Sequence, residues 1–195
     1  MSTQEQKLRL FVALAVPEEV KTHLVAMQSE LRRQLAPLLA SWTRPESMHL
    51  TLHFLGDVES SRVDALVANL AAALTGFGPL SLAAQRLGCF PDARSPRVLW
   101  VSVEDRVDRL TELQRRIVTA SAGFGREPAE KTFVGHVTLA RARQFNRWQS
   151  GILADSVKRA QNLCFGEWRS DQIHLMRSEL SPGGSRYSCL ASLPL

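Results

Sequence analysis

The sequence predicts an α+β molecule of two lobes related by a pseudo-twofold axis, and three observations lead there. A strand-length apolar run, a helix-period segment and a second strand occur in that order twice. In both copies the second strand carries the same pattern, His49-Leu50-Thr51-Leu52 in the first and His136-Val137-Thr138-Leu139 in the second. The spacing is also kept, with 41 residues from 8 to 49 and 39 from 97 to 136, and self-similarity of this kind marks a repeated structural unit.

The elements follow in order. Leu8 to Val16 is an apolar run of strand length, and Pro17-Glu18-Glu19 after it suits the first turn of a helix, which then runs to about Ala36. Trp42 to Ser47 reads as a connection and His49 to Leu55 as a strand that Gly56 ends. Ser60 or Ser61 is placed to cap a second helix, whose Val63, Leu66, Val67, Leu70 and Leu74 recur at helical spacing before Gly76-Phe77-Gly78-Pro79 breaks it. Strands at Leu80 to Phe90 and Arg97 to Val103 are joined through Pro91 to Pro96. An amphipathic helix then sets Val107, Leu110, Leu113, Ile117 and Val118 on one side and stops at Gly123 and Gly125. Thr132 to Ala140 is the strand of the second motif, and Gln172 to Leu180 with Arg186 to Leu193 forms a hairpin about the Ser181 to Ser185 turn.

Composition narrows the class of function. With 45% hydrophobic and 22% charged residues the chain can fill a core, so disorder is excluded. The run from Leu8 contains Arg9, is too short for a membrane span and lacks a small-residue cleavage pattern, so a cytoplasmic protein with no membrane partner is expected. Cys89, Cys164 and Cys189 are odd in number and form no C-x-x-C pair, which predicts reduced, packed thiols rather than disulfides or a zinc knuckle. The net charge of +5 comes from 20 Arg and 4 Lys against 19 acids. That balance permits an anionic substrate without requiring one, since arginine's fork suits phosphate.

Side chains alternate along a strand, so His49, Thr51 and His53 share one face and Leu50, Leu52 and Phe54 the other; His136 and Thr138 are likewise set against Val137 and Leu139. With five His and nine Thr, chance supplies only about 0.2 of one His-x-Thr, so two copies in matching contexts call for a common purpose. If the lobes face each other, two imidazoles and two hydroxyls converge. That set suits in-line displacement at phosphorus, with one histidine activating the attacking oxygen and the other protonating the leaving oxygen while the threonines hold non-bridging oxygens. The scheme needs no metal and no cofactor. A zinc site at His49 and His53 would require a helix and a Glu after the first histidine, where Leu50 stands. No G-x-x-x-x-G-K-[ST] loop is present, which argues against a nucleoside triphosphatase.

These residues carry a family resemblance. Through "LFVALAVPEEV", "ESMHLTLHFLGDV", "PRVLWVSVE", "HVTLAR" and "SELSPGGSRY" the chain resembles the bacterial RNA 2′,3′-cyclic phosphodiesterases of the two-His-x-Thr (2H) phosphoesterase superfamily, historically called 2′-5′ RNA ligases. The resemblance implies one bilobal domain over residues 1–195, each lobe an antiparallel sheet flanked by helices, with the active site in a cleft between them. It also implies hydrolysis of RNA 2′,3′-cyclic phosphate ends, tRNA fragments among them, to 2′-phosphates, and ATP-independent 2′-5′ joining in reverse. His49 would be the proton donor and His136 the base, with Thr51, Thr138 and Arg141 on the phosphate, in a monomer without cofactor.

Gly135 stands where the resemblance leads one to expect proline, and glycine there would leave the aim of His136 less constrained. The alternatives are a phosphodiesterase acting on small cyclic nucleotides and a catalytically weak RNA-end-binding protein. His53 reads as a rim residue, His23 as surface and His174 as facing either cleft or solvent. Phe11, Trp42 and Trp100 are candidates to stack on a base, with core packing the default for each.

Overall fold

The computed structural model describes residues 6–35, 41–92, 95–125, 132–141, 147–181 and 184–195. Ala36, residues 93–94 of the Pro91 to Pro96 connection and residues 182–183 of the C-terminal turn lie outside them. Strand β1 (Lys7–Ala15) leads to helix α1 (Glu18–Leu35), the short β2 (Ser41–Trp42) and β3 (His49–Glu59). Helix α2 (Val63–Leu74) and strand β4 (Leu80–Phe90) follow. The second copy runs β5 (Val98–Asp105), α3 (Arg109–Ala120), β6 (His136–Arg141), α4 (Arg147–Arg159), β7 (Cys164–Ser170), β8 (Gln172–Ser181) and β9 (Gly184–Pro194).

Among the described residues these strands form one antiparallel sheet in the order β7-β4-β5-β6-β3-β1-β8-β9, with β2 alongside β6. Its middle is a single pair, Leu50 opposite Val137, where the pseudo-twofold axis passes. The α+β bilobal architecture is as predicted, but the copies are not the lobes. Strand β4, the last of the first copy, pairs with β5, the first of the second, while β8 from the second copy pairs with β1 from the first. Helices are exchanged as well: α1 packs against β7 and α4, and α3 against α2 and β3.

The helices show why these segments fold as they do. In α1, Val20, Leu24 and Leu31 are buried on one side, while Glu18 and Glu19 at the start and Arg32 and Arg33 at the end oppose the helix dipole. Gln28, 3% exposed, donates from Nε2 to the carbonyls of Thr43 and Leu139, both at 2.8 Å, and so ties α1 to β6. In α3, Leu110, Leu113 and Ile117 are buried as their spacing requires, and the Asp105 carboxylate accepts from the Arg109 amide at 2.7 Å.

Several boundaries differ from the sequence reading. Neither Ser60 nor Ser61 caps α2: Ser60–Arg62 is a 3-10 turn, and Arg62 precedes the helix without a side-chain cap. Val107 lies outside α3 and is exposed. Ladder pairing of the second motif strand begins at His136, not Thr132. Helix α4 and strand β7 had no clear sequence signal, because Gly151 interrupts the one and Gly166, at φ +135°, sits within the other. The three cysteines carry free thiols, but Cys164 and Cys189 are exposed rather than packed. No described helix is long and apolar enough to cross a membrane.

The largest departure lies in β3. Gly56 does not end the strand, which runs on to Glu59 with Gly56 at φ +69°, a conformation glycine adopts without a Cβ penalty. Two bulges interrupt its pairing with β1. Val12 faces His53 and Ala13 faces Thr51, which leaves Leu52 unpaired; Leu10 faces Gly56 and Phe11 faces Phe54, which leaves Leu55 unpaired. A bulge reverses the side on which later residues emerge. Leu50 and Leu52 are therefore buried as expected, whereas Phe54, expected on their face, is 45% exposed.

Candidate active site

The single pair at the axis organises the site. His49 and His136 are each the first residue of their strands, and Leu50 and Val137, one position further on, meet at the axis with both side chains fully buried. In an antiparallel register this sets Thr138 across from His49 and Thr51 across from His136, all on the face opposite the core. Each histidine thus neighbours the other copy's threonine. The four polar side chains meet on adjacent strands of one sheet, rather than as two faces opposed across a gap.

Beyond that pair β3 and β6 share no further ladder, and a cleft of about 480 Å³ opens there. Thr51, His53, His136 and Arg141 border it, together with Arg9, Phe54 and Tyr187. His49 and Thr138 do not line it directly. His49 lies behind Phe11 and Tyr187, whose rings do, and Thr138 is half-buried opposite Trp100. Arg141, at the exposed end of β6, lies opposite Val98 and Ser41.

Each imidazole is held between two aromatic rings. Phe11 stacks on His49 at 4.8 Å and 30°, and Tyr187 meets it edge-on at 5.2 Å and 88°. Phe90 meets His136 edge-on at 5.1 Å and 84°, and Trp100 lies tilted to it at 6.0 Å. Both histidines therefore have aromatic support, but not from matching positions: Trp100 lies opposite Thr138, where Ala13 lies opposite Thr51. Of the three aromatics considered for base stacking, Phe11 is 1% exposed, Trp100 packs on Phe90, and Trp42 lies under the Arg32 guanidinium. All three are packed against other side chains, and the exposed Phe54 was not among those considered.

The ring nitrogens are directed by backbone carbonyls. His136 donates from Nδ1 to the Val134 carbonyl at 2.7 Å, so its Nε2 carries the lone pair when the ring is neutral. His49 is pushed down to about 4 from its ordinary 6.5, chiefly because burial disfavours the imidazolium; a hydrogen bond to the Ser47 backbone opposes this, and the charge of His136 adds to it. That last contribution shows that the two imidazoles sense each other.

Gly135 is explained by packing. Its carbonyl accepts from the Val103 amide at 2.8 Å, and a Cβ here would lie 2.4 Å from the Val103 oxygen and 2.9 Å from Leu110 Cδ2. The expected looseness is absent, because close backbone approach and the Val134 carbonyl fix the aim of His136. His23 is exposed on α1 with Nδ1 2.7 Å from the Phe165 carbonyl of β7, and it does not border the cleft. His174 is half-buried, pairs with Ser192 at 2.9 Å and does not border the cleft. His53 borders the cleft but is no zinc partner of His49, since both lie on a strand; among the described residues no group of three metal-binding side chains occurs.

Comparisons agree with this layout. The family model of LigT-like phosphoesterases matches twice, over residues 14–100 and 101–187, one match for each histidine. The chain is 30% identical over 182 residues to an RNA 2′,3′-cyclic phosphodiesterase of Methanothermobacter thermautotrophicus, covering 93% of this chain and 96% of that one. It is 31% identical to the enzyme of the same name from Thermotoga maritima, covering 94% and 93%. Among solved structures, a protein of Thermus thermophilus superposes with a TM-score of 0.77 at 26% identity, covering 96% and 98%. Escherichia coli LigT in complex with 3′-AMP superposes at 0.75 with 20% identity, covering 97% and 99%. Two matched units, each bringing one His-x-Thr to a shared axis, make this chain a member of the LigT-like phosphoesterase family.

Proposed function

We propose that the protein hydrolyses the 2′,3′-cyclic phosphate at an RNA end to a 2′-phosphate and a free 3′-hydroxyl. The observation that carries this is the axial Leu50–Val137 pair, which sets two histidines and two threonines beside one another, with Thr51 and His136 on the wall of one cleft. The names of the curated relatives supply the substrate class.

In this reading His136 Nε2 takes a proton from water, and the water oxygen bonds to phosphorus. The bond from phosphorus to the 3′ oxygen breaks, and His49 delivers its proton to that oxygen. Thr51 and Thr138 donate to the non-bridging oxygens, and the Arg141 guanidinium balances their charge. Because the free His49 ring is neutral near pH 7, the anionic substrate must raise its proton affinity before it can act as the acid. No step requires a metal. With a 5′-hydroxyl in place of water the same steps open the cyclic phosphate to a 2′-5′ link, the 3′ oxygen leaving, without ATP. RNA ends, tRNA fragments among them, are the substrates, and the chain acts as a single bilobal domain and a monomer.

Gly135 no longer favours a catalytically weak RNA-binding protein, since the packing requires glycine at that position. The deciding experiment incubates an oligonucleotide ending in a 2′,3′-cyclic phosphate with the protein in EDTA, beside His49→Ala and His136→Ala. A 2′-phosphate product is expected from the wild type, with each variant slowed by about 10²- to 10⁴-fold. Binding without turnover, turnover only with added zinc, or unimpaired variants would each refute the reading.

A further inference from the structure

Gln114 stands on the buried side of α3 among Leu110, Leu113 and Ile117, at a position where a leucine would complete the apolar face. It is 9% exposed. Buried Gln28 gives its amide hydrogens to two backbone carbonyls, whereas the Gln114 carboxamide makes no hydrogen bond among the described residues. What remains of its surface opens into the cleft of about 480 Å³ that holds His136, so the group is aimed there. A buried amide without a protein partner calls for a ligand or an ordered water.

The placement of α3 tells which side of the reacting centre this amide serves. Leu110, one turn before Gln114 on the same face, comes so near Gly135 that a Cβ there would lie 2.9 Å from Leu110 Cδ2. Gly125, just past the helix, lies so close to the Leu55 carbonyl of β3 that no Cβ fits between them. Helix α3 therefore underlies the gap between β3 and segment 133–135, where Gly56, Gln114, Phe133 and Val134 border the cleft together. Val134 is the residue whose carbonyl aims His136. His49 lies on the other side of the centre, behind Phe11 of β1 and Tyr187 of β9.

We infer that Gln114 holds the attacking water and so biases the reaction toward hydrolysis over joining. This water site rests on the phosphodiesterase reading for the placement of the phosphate. In an in-line displacement the attacking oxygen arrives opposite the leaving 3′ oxygen, which puts it on the His136 side. Water brings two hydrogens. One passes to His136 Nε2 as the oxygen bonds to phosphorus, and Gln114 Oε1 accepts a hydrogen bond from the one that stays; the 3′ oxygen leaves with the proton from His49. A 5′-hydroxyl brings a single hydrogen, which goes to His136, so nothing is left to donate to Gln114. The carboxamide thus favours water over an alcohol as the attacker. Glutamine orients an attacking water without taking its proton in other phosphoryl transfers too.

The test gives the protein adenosine 2′,3′-cyclic phosphate in water with a fixed concentration of methanol, and measures the share of product formed as the methyl ester of the 2′-phosphate. Gln114→Leu and Gln114→Met suit a helix and fill the same space, so urea midpoints at or above wild type are expected. Each variant should form the 2′-phosphate about 3- to 10-fold more slowly at unchanged KM, because attack by water loses one hydrogen bond. Attack by methanol loses none, so the methyl-ester share should rise by the same factor. A role in packing or in aiming His136 would slow both products together. An unchanged methyl-ester share therefore overturns the water site, whatever happens to the rate. If the wild type releases neither product, the phosphodiesterase reading has failed and the water site falls with it.

Discussion

His49 has to carry a proton to act as the acid, yet in the free protein its proton affinity sits at about 4. At pH 7 that leaves about one ring in a thousand protonated, against about one in four at an ordinary 6.5. A single negative charge about 5 Å away, at the effective dielectric of a partly buried site, contributes about 3 kcal/mol, or roughly two and a half pKa units. A bound cyclic phosphate monoanion would therefore return His49 close to its ordinary value, so that substrate binding itself arms the acid. The assay is an NMR titration of the histidine ring carbons, with His49→Gln to assign the resonance, in the free protein and with inorganic phosphate at saturation. The midpoint should lie near 4 in the free protein and rise by about two units with phosphate. A midpoint of 6 to 7 in the free protein, or one that phosphate leaves unmoved, would refute the reasoning. The same shift has a signature in stability. The depressed value means that the unfolded chain binds the extra proton between pH 6.5 and 4, so stability is full above 6.5 and declines by about 3 kcal/mol as pH falls to 4. His49→Gln should flatten that part of a denaturant-midpoint profile.

Gly135→Ala forces a Cβ onto the Val103 carbonyl and should destabilise the fold by about 1–3 kcal/mol, read as a lower urea midpoint, with a fall in kcat because His136 must shift. Gln28→Leu takes its donor from the Thr43 carbonyl and one of two from the Leu139 carbonyl, which keeps the Thr43 amide, and should cost about 1–3 kcal/mol in the same measurement, while KM stays near wild type. On the proposed reading Thr51→Val and Thr138→Val each remove one donor to the phosphate, and each should lower kcat/KM by about 10- to 100-fold with little change in urea midpoint. A variant of either threonine with wild-type kinetics would remove that residue from the site.

The repeated strand, helix, strand order and the His-x-Thr-Leu pair were legible because periodicity and spacing are local properties of the chain. The packed face of α1 and the hairpin of β8 and β9 were legible for the same reason. Phe54 was assigned to the wrong face because a bulge depends on the partner strand, and nothing within His49 to Gly56 announces that Leu52 will go unpaired. The exchange of β4 and β8 between copies was hidden too, since pairing across distant segments leaves no mark on either one. Gly135 was misread for a related reason: its meaning lies in the Val103 oxygen, more than thirty residues away.

That exchange of strands has a consequence for how such a molecule could arise and be taken apart. Neither copy owns a finished sheet: the first gives β4 away and depends on β8 and β9, and the second gives β8 and β9 and depends on β4. A lone copy would be left with unpaired strand edges and half-covered helices, and it could complete itself only by trading strands with a twin. The single chain therefore has the form of a strand-swapped homodimer whose subunits have been fused end to end. The two His-x-Thr motifs meet at the axis of that dimer, and fusion would free two initially identical histidines to diverge, because one chain encodes both.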